Sequence, residues 1–253
     1  MRAILLLLAS AGATAAHAAC GLDACEAPRA AAEAPAWLGL ATGFRALGVD
    51  AGTLLEPTLR VTVLPVAGLA AGAEVRGLGL PSDARYGLGN TVIFADAQHA
   101  FGATTLLGGL QAELPTGAAD LVDDHAELMG HVGAARQAGP VRLGGRLGYR
   151  HALGAHHHHH DADDTPIVPA HGARELVYRL GAGWPVGRFE PGLDLDGQHV
   201  LDADAHERAF LSGLARLDAR LAPATTLRVA ARAPLTTARR QDWLGEAALT
   251  LWW

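Results

Sequence analysis

Trp243-Leu-Gly-Glu-Ala-Ala-Leu-Thr-Leu-Trp-Trp253 is the stretch whose reading decides the fold. Trp243, Gly245, Ala247, Leu249, Leu251 and Trp253 fall on one face at period two, and Glu246 and Thr250 on the other. Strict alternation is a strand signal, because successive side chains of a strand point to opposite faces. Ten residues at about 3.3 Å, tilted by roughly 40°, separate the two outer tryptophans by about 25 Å along a membrane normal, the height of the apolar band between two aromatic girdles. An aromatic residue closes the strand.

The same pattern runs back through the chain. Val141, Leu143, Gly145, Leu147 and Tyr149 oppose Arg142, Gly144, Arg146, Gly148 and Arg150. Leu176, Tyr178, Leu180, Ala182 and Trp184 oppose Glu175 and Arg179, while Phe189, Pro191, Leu193 and Leu195 oppose Glu190, Asp194, Asp196 and Gln198. Leu211, Gly213, Ala215, Leu217, Ala219 and Leu221 oppose Ser212, Arg216, Asp218 and Arg220, and Leu227, Val229, Ala231 and Leu235 oppose Arg228 and Arg232. Earlier segments place Leu55 to Val63 against Glu56, Thr58, Arg60 and Thr62, Leu106 to Leu114 against Gln111 and Glu113, and Ala126 to Val132 against His125, Glu127 and His131.

Alternation alone suits both a soluble sandwich and a membrane barrel with a wet interior. The connections separate the two. They are tight near 67–72, 101–103, 137–140, 185–188 and 222–225, and long and polar near 81–90, 115–124, 151–173, 200–207 and 234–242. Short turns on one side and long loops on the other are the habit of outer-membrane barrels. From residue 37 on, no run reaches the roughly 18 apolar residues of a membrane helix. The expectation is therefore an all-β chain, an antiparallel transmembrane β-barrel of about 12 strands, of bacterial outer-membrane type, over residues 37–253. The many outward Ala and Gly residues fit a lipid-facing wall less well than Leu or Val, which keeps the β-sandwich as the alternative.

Tyr86-Gly-Leu-Gly-Asn90 and Glu113-Leu-Pro-Thr-Gly117 flank one of these strands, and on these two motifs the chain from about Ala51 to Trp253 resembles the outer-membrane transporter-like family labelled MetA-pathway of phenol degradation. Members usually carry Asp where this chain has Asn90. The resemblance implies passage of small, apolar molecules across the outer membrane, and it brings no defined catalytic or binding residues.

Ahead of the barrel, Met1-Arg2, an apolar stretch from Ala3 and the small-x-small site Ala16-His17-Ala18 read as a secretory signal over residues 1–18. Its apolar run of roughly 14 residues is too short to span a bilayer. Lipidation of Cys20 is the minority alternative, since His17 stands where lipoprotein signals prefer Leu. Residues 19–36 form a lead-in in which Cys20 and Cys25 close a small disulfide loop or hold a soft metal, the disulfide being the simpler state of an exported chain.

Composition excludes several functions. The 253 residues are 50% hydrophobic and 18% charged with a formal charge of -6, and every basic residue is Arg, so no basic face draws a nucleic acid. Beyond residue 18 the only serines are Ser82 and Ser212, which leaves a lipid hydrolase or acyltransferase with little to work with, and no enzyme is expected. The expected function is an outer-membrane channel or transporter for a small solute. A structural or adhesive surface barrel is the alternative, and an outer-membrane lipid-modifying enzyme a lesser one. Outer-membrane lipid and the barrel assembly machinery are the other expected partners.

The candidate pore-lining residues are Arg142, Arg146, Arg150, Arg179, Glu175, Asp194, Asp196, Arg216, Asp218, Arg220, Arg228, Arg232 and Glu246. Opposite charges in a narrow lumen brace the wall by pairing, and they also sort solutes by charge. His125 and His131 are about 20 Å apart along an extended strand and cannot share a metal. The remaining unusual feature is the run His156, His157, His158, His159 and His160 followed by Asp161, Asp163 and Asp164, with His151 and His171 at its flanks. Imidazoles and carboxylates together are donors for Zn, Ni or Cu, so these eight residues are the candidate metal ligands of a chain for which no resident cofactor is otherwise expected.

Overall fold

A computed structural model describes residues 37–49, 52–66, 68–118, 121–122, 125–153, 174–201, 209–237 and 241–253. The signal and lead-in expected over 1–36, including Cys20 and Cys25, and the His/Asp run with His171 lie outside the described residues.

The chain is a succession of antiparallel strands: β1 (Leu38–Val49), β2 (Gly52–Val66), β3 (Leu69–Leu80), β4 (Arg85–Leu88), β5 (Thr91–Phe101), β6 (Thr104–Leu114), β7 (Ala126–Ala138), β8 (Val141–Leu153), β9 (Arg174–Gly183), β10 (Phe189–Val200), β11 (Ala209–Ala222), β12 (Thr225–Pro234) and β13 (Trp243–Trp252). Each wall strand pairs with its sequence neighbours, and β1 closes the ring onto β13 from Gly39 opposite Trp252 to Gly48 opposite Trp243. Closure leaves no strand edge, which is what allows a sheet to stand in lipid. β4 and β5 form one interrupted strand, since β3 pairs with β5 over Leu69–Glu74 and with β4 over Gly77–Leu80. The wall is thus a closed barrel of twelve antiparallel strands, as the alternation implies. Where a long loop is expected near 81–90, only a single 3-10 turn at Pro81–Asp83 leaves the sheet before β4 resumes it.

Followed once round the ring, the registers step by about 14 residues, which for twelve strands sets a tilt of about 40° and a backbone diameter of roughly 23 Å. Two-residue turns at 102–103 and 139–140 reverse the chain at one end, each opening on a glycine with left-handed φ, +56° at Gly102 and +59° at Gly139. Any side chain there would be strained.

The outer face is apolar and exposed: Phe44, Leu59, Val61, Ile93, Leu110, Val132, Leu147, Leu180, Leu193, Leu217 and Val229 all point away from the interior. Trp37, Phe101, Trp184, Phe189 and Trp253 ring the short-turn end, and Tyr86, Tyr149 and Trp243 ring the other. A belt of this kind would drive aggregation in water and is the surface a bilayer solvates. Trp253 is held by backbone bonds, its N–H to the Leu38 carbonyl at 2.9 Å and its carbonyl to the Trp37 N–H at 2.8 Å, so both ends of the described chain meet at the short-turn rim.

Candidate functional site

Because directly paired residues share a face, the registers carry the polar halves of all twelve wall strands into the interior. Eleven arginines stand there: Arg45, Arg60, Arg76, Arg142, Arg146, Arg150, Arg179, Arg216, Arg220, Arg228 and Arg232. Eleven carboxylates answer them: Glu56, Glu74, Asp96, Glu113, Glu127, Glu175, Glu190, Asp194, Asp196, Asp218 and Glu246. With histidine neutral, the charges inside the described wall cancel.

They are joined in clusters. Arg45 Nε meets Glu56 at 2.9 Å. Glu74 takes Arg60 at 3.5 Å and Arg76 at 3.0 Å, and Arg76 extends to Glu113 at 3.9 Å. The Arg60 guanidinium also lies 3.6 Å over the Phe94 ring, a cation–π contact inside the barrel. Arg150 bridges Glu127 at 3.7 Å and Glu175 at 3.3 Å. Asp196 binds both Arg179, whose second N–H donates at 2.9 Å, and Arg232 at 2.9 Å. Arg216 is hydrogen-bonded to Asp218 and reaches Asp194 at 3.2 Å and Glu190 at 3.8 Å, while Arg142 holds Glu190 at 3.3 Å and Arg228 holds Asp218 at 2.6 Å. His131 Nε2 sits beside the Arg146 guanidinium and 3.2 Å from Asp96.

All thirteen candidate lining residues therefore face inward. Arg220 and Glu246 are half-buried and take part in interactions of their own. The alternation of β1 to β7 carries the same signal, and Arg45, Arg60, Arg76, Glu56, Glu74 and Asp96 belong to the set as fully as the arginines of β8 to β12. Burial inside the barrel is deep: Glu175 is 0% and Arg150 2% solvent-exposed. Paired charges this little exposed crowd the interior of a ring roughly 23 Å across.

The long-loop end is lined differently. Leu47, Leu54, Leu78, Leu80 and Leu244 replace charges at the inward positions, and Leu121 and Val122 of the segment after β6 pack among them, with Ala118 and Val49 against the cluster. Two links fasten that segment to the wall. Gly117 N–H donates to Asn90 Oδ1 at 3.1 Å, and the Thr116 hydroxyl accepts from Thr91 N–H at 2.9 Å and bonds the Thr91 hydroxyl at 2.8 Å. The Ala118 N–H adds a bond to the Leu88 carbonyl at 2.8 Å. The motifs Tyr86 to Asn90 and Glu113 to Gly117, 27 residues apart at their last positions, thus meet at the break between β4 and β5. This apolar cluster is the feature that sequence reasoning missed. Its trace is that Leu47, Leu54, Leu78, Leu80 and Leu244 occupy positions whose parity points inward.

Ser212 lies opposite Asp196 on the interior face, away from the lipid side where a lipid-modifying serine would act. Among the described residues no group of three or more His, Cys, Asp or Glu side chains is gathered as a metal site.

Neither a family model nor a curated relative matches the chain, the family resembled by its loop motifs included. Solved structures do. The NanC porin matches at TM-score 0.57 and 11% identity over 85% of this chain and 98% of its own. The KdgM porin matches at 0.55 and 9%, over 83% and 98%. The COG4313 outer membrane channel from Pseudomonas putida F1 matches at 0.64 and 10%, over 86% and 96%. At such identities the likeness is one of fold, and the fold is that of outer-membrane barrel porins.

Proposed function

We propose that this protein is an outer-membrane channel that passes a small solute through a narrow, charge-lined lumen. The observation that carries the reading is the inversion of polarity: a closed twelve-strand barrel that is apolar outside and holds eleven arginines and eleven carboxylates inside. A wall of this kind needs lipid around it and water within. The signal over residues 1–18 delivers the chain to the periplasm, the barrel assembly machinery inserts it, and the short turns and the Trp37/Trp253 rim face the periplasm while the long loops face outward. The porin likeness supports the reading.

Within it, the stopper of Leu121 and Val122 narrows the outer mouth, and the ion-pair band sets the size limit below it. The burial of that band also favours a second reading, a structural or adhesive barrel with a filled interior. Reconstitution in a planar bilayer separates them: steady single-channel steps in KCl are expected of the channel, and a folded, heat-modifiable but silent barrel would establish the second reading. For His156 to His160 with Asp161, Asp163 and Asp164, the proposal is outward-facing capture of Zn, Ni or Cu, supported by donor chemistry alone.

A further inference from the structure

We infer that glycines on the lumen face set the bore of the channel, by giving ion clusters a bare stretch of wall on which to lie; this rests on the channel reading above. One row of the sheet carries the argument furthest. Arg142, Gly183, Gly192 and Arg216 stand side by side across β8 to β11, in direct register and all facing inward. Three strand spacings place the backbones of the two arginines about 14 Å apart. Both nevertheless reach Glu190, Arg142 at 3.3 Å and Arg216 at 3.8 Å. They do so by leaning toward each other along the wall, over the two glycines.

The space above these glycines is taken by charged groups. A methyl at Gly192 would stand 2.8 Å from the guanidinium carbon of Arg216, and one at Gly183 would stand 2.6 Å from Glu190 Oε1 and 3.2 Å from an Arg216 nitrogen. At Gly181 it would overlap the carboxylate of Asp194, which lies directly opposite on β10 and holds Arg216 at 3.2 Å. Gly109 repeats the arrangement on β6. It lies between Asp96 and His131, its direct neighbours on β5 and β7, and a methyl there would overlap the Asp96 carboxylate and stand 2.7 Å from a His131 ring carbon. None of these four glycines has a left-handed φ, so the backbone conformation does not call for glycine. Glycine weakens a strand interior, and where it occurs there it marks a close approach. At all four positions what approaches is a charged side chain from a neighbouring strand.

Side chains of a sheet stand roughly perpendicular to it when their neighbours carry side chains of their own. Beside a glycine, an arginine or an acid folds down and pairs along the wall, and the space nearer the axis is left to the solute. A side chain placed at the glycine takes that floor away. Ordinary contact needs about 3.8 Å, so a methyl at Gly192 lifts the Arg216 guanidinium by about 1 Å toward the axis. The substitution alters no charge. It narrows the passage while leaving the balance between cations and anions as it was, which separates the size limit from charge selection.

The test compares the wild type with the double substitution Gly183→Ala, Gly192→Ala, by single-channel recording in KCl and by uptake of glycerol and sorbitol into proteoliposomes. The expected result is a conductance lowered about twofold and sorbitol slowed more than glycerol, with the K⁺/Cl⁻ permeability ratio unchanged. Gly181→Ala should act in the same direction. Adding Asp194→Ala to it removes the group that the methyl lifts and should restore the conductance, a rescue that a glycine needed only for folding would not show. Gly245→Ala lies on the lipid face, where a methyl meets nothing within 4 Å, and should leave the conductance as it is. A wild type that conducts, with lumen variants that conduct equally well, overturns the inference and leaves the channel standing. A wild type that does not conduct removes the channel reading and the inference with it. If the lumen variants fail to insert while Gly245→Ala inserts, these glycines serve folding alone and the proposal is overturned.

Discussion

Replacing Arg150 by Met should be among the most damaging single substitutions in the barrel wall. The guanidinium lies 3.3 Å from Glu175 and 3.7 Å from Glu127, and the two carboxylates are 0% and 6% exposed. At an effective dielectric constant near 20, each contact at this distance contributes about 5 kcal/mol of attraction, most of which offsets the cost of holding the charges away from water. Met fills the space but takes the guanidinium from two buried carboxylates, and breaking a buried pair in this way costs about 3–5 kcal/mol. The triple variant Glu127→Gln, Arg150→Met, Glu175→Gln removes attraction and desolvation together and should return to within about 1 kcal/mol of the wild type. Reversible urea unfolding in detergent micelles, followed by tryptophan fluorescence and checked by the shift of unboiled against boiled samples on a gel, measures both. A loss below about 1 kcal/mol for Arg150→Met would refute the claim that the interior behaves as a low-dielectric medium, and with it the picture of a tightly filled band.

Leu121→Asp should open the mouth, because a charge cannot remain among Leu54, Leu78 and Leu80; single-channel conductance is expected to rise, and an unchanged value would show that the stopper does not limit flow. Asn90→Ala removes the acceptor of the Gly117 N–H at the cost of about 1 kcal/mol and should increase the frequency of brief opening events without changing the fully open level. Deleting Trp252 and Trp253 removes the backbone bonds to Leu38 and Trp37 together with the ring that covers Gly39, so outer-membrane levels should fall far more than when two residues are cut from the histidine run; equal levels would contradict this. Zn²⁺ binding to the protein should weaken as pH falls through about 6.5, where free imidazole takes up a proton, and should vanish when His156 to His160 become Ser; unchanged binding after that replacement would locate the metal elsewhere.

Much of the barrel follows from the sequence alone, because a strand writes its two faces into alternate positions. Val141 to Arg150 and Trp243 to Trp253 each declare an apolar and a polar side, and a dozen such segments joined by alternating short and long connections leave a closed wall as the consistent solution. Parity likewise assigns Arg142, Arg179 or Glu246 to the interior without knowledge of any neighbour. Parity is silent about register, however, and register decides which charges meet. Only the closed sheet sets Arg146 against Arg179, Glu113 against Glu127 and Glu190 against Asp218, and gathers Arg179 and Arg232 on Asp196. The stopper was hidden for a related reason. Leu121 and Val122 lie in a segment without periodicity, and Leu47, Leu54, Leu78, Leu80 and Leu244 come from four strands whose inward ends converge only once the ring is closed and tilted. Alternation is local and survives in one dimension, whereas the pairing of charges and the gathering of that apolar cluster depend on how far each strand slides past the next.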